Sequence, residues 1–198
     1  MSHLQLRAAI QKWVALENTQ WTELAAIFHQ RSVAAGTHLL LPGSHSHELV
    51  FVCSGLLRFY YLTEQGGEAN KAFIAEGAFA GPLASSVLNL PVIYGAQALE
   101  PSVLLVASYS AFSALFDRHP VFDRLGRKLA EYLLVGKELR MRTLLLHQAK
   151  DRYLAFVNQY PDLIERIPQY HIAGYLGITE VSLSRLKGDL RRAQTVIV

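Results

Sequence analysis

The chain has 198 residues, 51% of them hydrophobic, and a formal net charge of +3. That length accommodates one large or two small domains with a sizeable core. No apolar run approaches ~20 residues, which argues against a membrane span, and no basic-then-apolar secretory pattern opens the sequence. Cys53 is the only cysteine. It excludes an intramolecular disulfide and a cysteine-ligated iron–sulfur cluster, and it fits a reducing, cytoplasmic setting.

Residues 1–30 read as helical, with apolar positions at Leu6, Ile10, Trp13 and Val14 and then at Leu24, Ile27 and Phe28. From Val33 to about Tyr109 short apolar runs take over: His38–Leu41, Glu48–Cys53, Leu56–Leu62, Ala69–Ile74, Tyr94–Leu99 and Val103–Tyr109. Turn chemistry separates them, most clearly at Glu64-Gln65-Gly66-Gly67, as in a small antiparallel barrel or roll. Pro82 to Leu88 reads as a short helix interrupting the strands, and Ser110 to Phe116 as one or two helical turns.

A long helical segment follows Pro120. Leu125, Leu129, Tyr132, Gly136, Leu139, Thr143 and Leu146 alternate spacings of four and three, the a/d seam of a helical dimer. Gly136 would allow close approach of two backbones. Gln148 to Gln159 predicts a further helix.

Residues 167–187 predict a helix, a short turn and a second helix. Pro168 suits a first helical position, Gly177 a helix end with positive φ, and Thr179 an N-cap. Val181, Leu183, Leu186 and Leu190 supply apolar positions, while Ser182, Arg185 and Lys187 are left mostly outside. This is the pattern of a helix-turn-helix whose second helix enters the DNA major groove. Charge agrees: residues 120–198 carry thirteen Lys/Arg against eight Asp/Glu, whereas residues 1–119 carry six against eight. Arg185 is the candidate for two hydrogen bonds to guanine, with Glu180, Val181 and Ser182 near base edges. Gln169, Thr179, Ser184 and Lys187 are candidates for phosphate contacts, which position without specifying. Arg185 could instead pair with Asp189, and Glu180 could simply favour its helix N-terminus.

At this point the chain resembles the Crp/Fnr family of bacterial transcription regulators over nearly its whole length. The resemblance is carried by Ala35-Gly36-Thr37-His38-Leu39, Glu48-Leu-Val-Phe-Val-Cys-Ser-Gly55, Leu57-Arg-Phe-Tyr60, Glu76-Gly-Ala-Phe-Ala-Gly81 and Ala96-Gln-Ala-Leu-Glu100. In the C-terminal part it rests on Arg152-Tyr-Leu-Ala-Phe and Ile167-Pro-Gln-Tyr-His-Ile-Ala-Gly-Tyr-Leu-Gly-Ile-Thr. It implies an α+β chain: a cyclic-nucleotide-binding-like antiparallel β-roll at 1–119, a dimerisation helix at 120–147 and an all-α helix-turn-helix domain at 148–198. With only Arg-Arg-Ala-Gln-Thr-Val-Ile-Val after Leu190, a full β-hairpin wing is not expected. The implied partners are double-stranded DNA, a second copy of the chain, RNA polymerase and a small-molecule effector of unknown identity.

Cyclic-AMP binders of the family use a Glu on the ribose and an Arg on the phosphate. Here Gly81-Pro82-Leu83 and Val92-Ile93-Tyr94 stand at those places and cannot make either contact. A buried phosphate without an Arg would be poorly compensated, so cyclic AMP is not expected as a cofactor. Two alternatives remain for the roll: a pocket for an apolar or neutral effector, lined by Phe79, Gly81, Pro82, Leu83, Ser85, Ser86, Val92, Ile93 and Tyr94, or a roll packed shut.

No nucleophile–base or paired-carboxylate constellation is recognisable, and no enzyme activity is expected. His45-Ser-His47 resembles the metal motif of cupin enzymes, but no later segment supplies further ligands and no metal is expected. A further alternative is a sensor whose helical region serves protein contacts rather than DNA.

Overall fold

The computed structural model describes residues 1–195. Two helices open it, α1 (Ser2–Gln11) and α2 (Asn18–Ala26). The strands are β1 (His29–Val33), β2 (His38–Leu40), β3 (Glu48–Ser54), β4 (Leu57–Leu62), β5 (Glu68–Ile74), β6 (Phe79–Ala80), β7 (Gly95–Ala98) and β8 (Ser102–Ser108). A short helix, α3 (Leu83–Leu88), lies between β6 and β7. After β8 come α4 (Tyr109–Ser113), α5 (Pro120–Leu146), α6 (Ala149–Gln159), α7 (Gln169–Leu176) and α8 (Glu180–Thr195). The predicted roll is present as two antiparallel four-stranded sheets, ordered β1-β8-β3-β6 and β2-β7-β4-β5. The mean residue types explain the pairing: β3 and β8 are apolar through most of their length and buried, as central strands must be.

Residues 1–30 are not helical throughout. His29–Val33 forms edge strand β1, paired with β8 from His29↔Val106 to Val33↔Ser102. Its polar sequence suits an edge, where charged side chains face water. Two-residue β6 is likewise set by its pairing with β3, Val50↔Ala80 and Phe51↔Phe79.

Leu6, Ile10 and Leu24 from the N-terminal helices pack with Phe51, Phe79 and Leu105 of the roll and with Phe122, Leu125 and Leu129 of α5. Leu125 and Leu129 are 2% and 3% exposed. The first turns of α5 are therefore spent on the chain's own core. The uncovered apolar face begins at Tyr132 and continues through Val135, Leu139 and Leu146, all exposed, with Gly136 exposed and Thr143 half-buried between them. Val135 lies on this face although the seam spacing passes over it.

A second core joins the two halves of the chain. Leu56 and Phe73 of the roll cluster with Phe156, Leu163, Ile167, Ile172, Tyr175, Leu176 and Leu183. The Phe73 ring lies 5.4 Å from that of Tyr175 and 6.1 Å from that of Phe156. Among the described residues no helix is long and apolar enough to cross a membrane.

Candidate nucleic-acid interface and the closed roll

Helix α7 turns its apolar side inward: His171, Ile172, Ala173, Tyr175 and Leu176 are buried. Pro168 stands just outside the helix as its N-cap, in extended ψ (141°), so the helix proper starts at Gln169. Gly177 ends it with φ +67°, a conformation that favours a residue without Cβ. The Ile178 amide then donates to the Ala173 carbonyl at 3.1 Å, and the chain turns into α8. Thr179 caps α8: its Oγ1 accepts from the Ser182 amide at 3.2 Å. Leu183, 1% exposed, anchors α8 to the core and so fixes which face looks outward.

That outward face carries Glu180, Val181, Ser182, Ser184 and Arg185, all exposed. Val181, read from the sequence as an apolar packing position and also as a base neighbour, is 60% exposed and sits with the outward group. Arg185 makes no hydrogen bond or ion pair among the described residues. The alternative partner, Asp189, is taken by Arg192 at 2.5 Å. Gln169 and Lys187 meet across the motif, with Lys187 Nζ donating to Gln169 Oε1 at 2.9 Å. The two groups read as separate phosphate contacts thus form one joined edge. An open groove of about 690 Å³ lies beside it, lined by Tyr153, Ile164, Pro168, Gln169, Lys187 and Leu190. Helix α8 runs on to Thr195, and the last residues of the expected wingless end, 196–198, lie outside the described residues.

The residues assigned to an effector pocket face different ways. Phe79 faces the core, 5.0 Å from the Phe51 ring and 5.4 Å from the Trp13 ring. Ile93 points out, 70% exposed, whereas Pro82, Ser85, Val92 and Tyr94 are buried. Leu83 and Ser86 are half-buried on α3, and the Ser86 hydroxyl bonds the Pro82 carbonyl at 3.0 Å. Between the sheets, Leu40, Val50, Leu57, Phe59, Gly81 and Ala96 enclose only about 10 Å³. That is room for about one water, whereas ligand pockets run to about 300–1,000 Å³.

Lys71 covers the aromatic side of this region. It sits in β5 at a register shift opposite Phe59 and Tyr60. Its ammonium lies 3.5 Å from the Tyr94 ring centroid and 5.6 Å from that of Tyr61. Burial, with Lys137 of α5 adding repulsion, pushes the ammonium down to about 8. The Tyr94 ring stacks on Phe59, and its hydroxyl donates to the Gly81 carbonyl at 3.2 Å. A lysine resting on this aromatic pair is a cation–π contact made inside one chain. Sequence reasoning missed it, because the partners are about twenty residues apart.

His45 and His47 stand with ring centroids 6.5 Å apart. Among the described residues no three His, Cys, Asp or Glu side chains are grouped to hold a metal ion. Cys53 is buried, and burial pushes its thiol up, the opposite of what a reactive thiolate needs.

Comparison with known proteins bears on both halves of the chain. Residues 30–119 match the model of the cyclic nucleotide-binding domain. The fumarate and nitrate reduction regulatory protein of Vibrio cholerae is 25% identical over 183 residues, covering 87% of this chain and 72% of that protein. The regulatory protein HlyX of Actinobacillus pleuropneumoniae is 22% identical over 195 residues, covering 92% and 80%. The structure of FixK2 from Bradyrhizobium japonicum superposes with a TM-score of 0.74 at 17% identity, over 85% of this chain and 86% of that one. The chain is thus similar over most of its length to these regulatory proteins, and it shares the fold of FixK2. The relatives named are regulatory proteins.

Proposed function

We propose that this regulator binds a palindromic operator as a cytoplasmic homodimer, without a cyclic nucleotide. The observation that carries the reading is the outward face of α8, where Arg185 is exposed, without a partner among the described residues, and held on a helix anchored by Leu183. Such an Arg can bond guanine O6 and N7 together, and Val181 can meet a thymine methyl. The joined pair of Gln169 and Lys187 sits at the rim, where a phosphate would be met. The exposed face of α5 from Tyr132 to Leu146 supports a two-fold dimer, which would set two α8 helices one helical turn of DNA apart.

The filled roll supports binding that needs no effector, with protein abundance setting occupancy. Selection of binding sites from random DNA by the purified protein, with no ligand added, tests the reading. Enrichment of a palindrome is expected. A folded dimer that enriches nothing would overturn it in favour of an effector-dependent regulator or a sensor acting through protein contacts.

The roll has its own check. Millimolar cyclic AMP should leave the Tm unchanged, because a ligand stabilises only a state that it binds. A rise of several degrees would show that the roll opens to a nucleotide.

A further inference from the structure

We propose that α7, the bracing helix of the DNA reader, is clamped to β5 of the roll by a contact that acid weakens through His171. The clamp has three parts. Asn70 of β5 donates from Nδ2 to the His171 carbonyl at 2.8 Å, and the same nitrogen lies 3.3 Å from His171 Nδ1. Gly174 brings the α7 backbone against the strand: a Cβ there would lie 3.3 Å from Asn70 Nδ2 and 3.4 Å from the Glu68 carbonyl oxygen. Arg166, just before α7, bonds Glu76 Oε1 at 2.9 Å and Glu76 Oε2 at 3.2 Å, and also pairs with Glu100. Glu76 Oε1 in turn accepts from the Gly55 amide at 2.8 Å. Residues 66 to 101 positions apart are thus tied by charge-assisted and buried hydrogen bonds.

His171 is the titrating member. It is 4% exposed, and the amide hydrogen of Asn70 facing Nδ1 requires that nitrogen to be an acceptor, hence a neutral ring. The groups around it are Arg58 of β4, Glu68 and Asn70 of β5, and the ring of Tyr170 beside it on α7. Arg58 itself is buried and bonded to Glu68 at 2.5 Å and to Asn70 at 3.2 Å. Burial, reinforced by Arg58 and only partly opposed by Glu68, pushes the imidazole down from its ordinary 6.5 to about 4.

When α7 parts from β5 the ring returns to its ordinary value. Between pH 6.5 and 4 the open state then binds the extra proton, so the clamp is strongest above pH 6.5 and weakens as pH falls. Linkage with these two values gives about a tenfold rise in the opening equilibrium between pH 7.5 and 5.5. Glu76 is kept out of that window: burial acts to raise it, but the Arg166 and Gly55 hydrogen bonds outweigh burial and hold it below the ordinary carboxylate range.

Hydrogen exchange of the α7 amides in the full chain tests this, because protection reports opening even when the open form is rare. Corrected for intrinsic rates, protection at 172–176 should fall about tenfold from pH 7.5 to 5.5, while that of β3 and β8 falls less. His171→Gln should flatten the pH response. Arg166→Ala, which leaves the α7 core side chains in place, should lower α7 protection at both pH values and keep the pH response. Equal pH dependence in α7 and β3, or no effect of Arg166→Ala, would overturn the proposal. No DNA enters these measurements, so they stand or fall apart from the operator reading.

Discussion

Arg185→Ala is expected to weaken operator binding by about 1–3 kcal/mol at each half-site, or about 2–6 kcal/mol for a dimer on a palindrome. The loss should be confined to one base position in each half-site, where preference for guanine disappears. Two features make the effect separable from misfolding. The side chain is exposed and holds no partner among the described residues, so its removal leaves no orphaned group. The Asp189–Arg192 pair one turn further along is untouched. Lys187→Ala should behave differently: affinity falls by a similar factor on every sequence, and the slope of log K against log salt drops by about 1. Measuring both variants against a matched and a scrambled site distinguishes base reading from phosphate positioning. If Arg185→Ala weakened both sites equally, α8 would not be reading sequence through this residue.

Leu139→Glu is expected to leave a folded protomer that no longer dimerises. Leu139 is 52% exposed in the single chain, so a carboxylate there is solvated and costs little. Placed at a helix–helix seam it would bury a charge beside its own copy, at several kcal/mol. Analytical ultracentrifugation should show monomer at concentrations where the wild type is dimeric. Operator affinity should fall by about 10²–10⁴-fold, since each half-site is then bound alone. Leu129→Glu gives the contrast. Leu129 is packed with Phe122 and the N-terminal helices, so the charge enters the chain's own core and the fold itself fails. A Leu139→Glu protein that remained dimeric would place the interface elsewhere.

The seam shows what a spacing can and cannot say. Leu125, Leu129, Tyr132 and Leu139 all keep the four–three alternation, yet the first two are covered by this chain and the last two are open. A 3.5-residue period reports that a helix has an apolar face; it does not report whose surface covers it. The turn at Gly177, the cap at Thr179 and the outward polar face of α8 were legible because each depends on neighbours within a few residues. Strand β1 was not, because a polar edge strand lacks the alternation that marks a half-buried one, and only its pairing with β8 defines it. Lys71 against Tyr94 and Asn70 against His171 lay further out of reach, since both are made by topology and join residues with no local pattern in common.

The core that Leu56 and Phe73 share with α6, α7 and α8 joins the β-roll mechanically to the helices proposed to read DNA. A fragment cut at residue 148 would carry Phe156 and Tyr175 with the Phe73 ring stripped from them; full exposure of a phenylalanine side chain costs about 1.5–3 kcal/mol, and uncovering one side of a ring costs a share of that. A domain so small has little stability in reserve. The roll therefore has work to do whether or not anything enters it. A change inside the roll would leave the surface of β5 under the same constraint, because α7 packs against it.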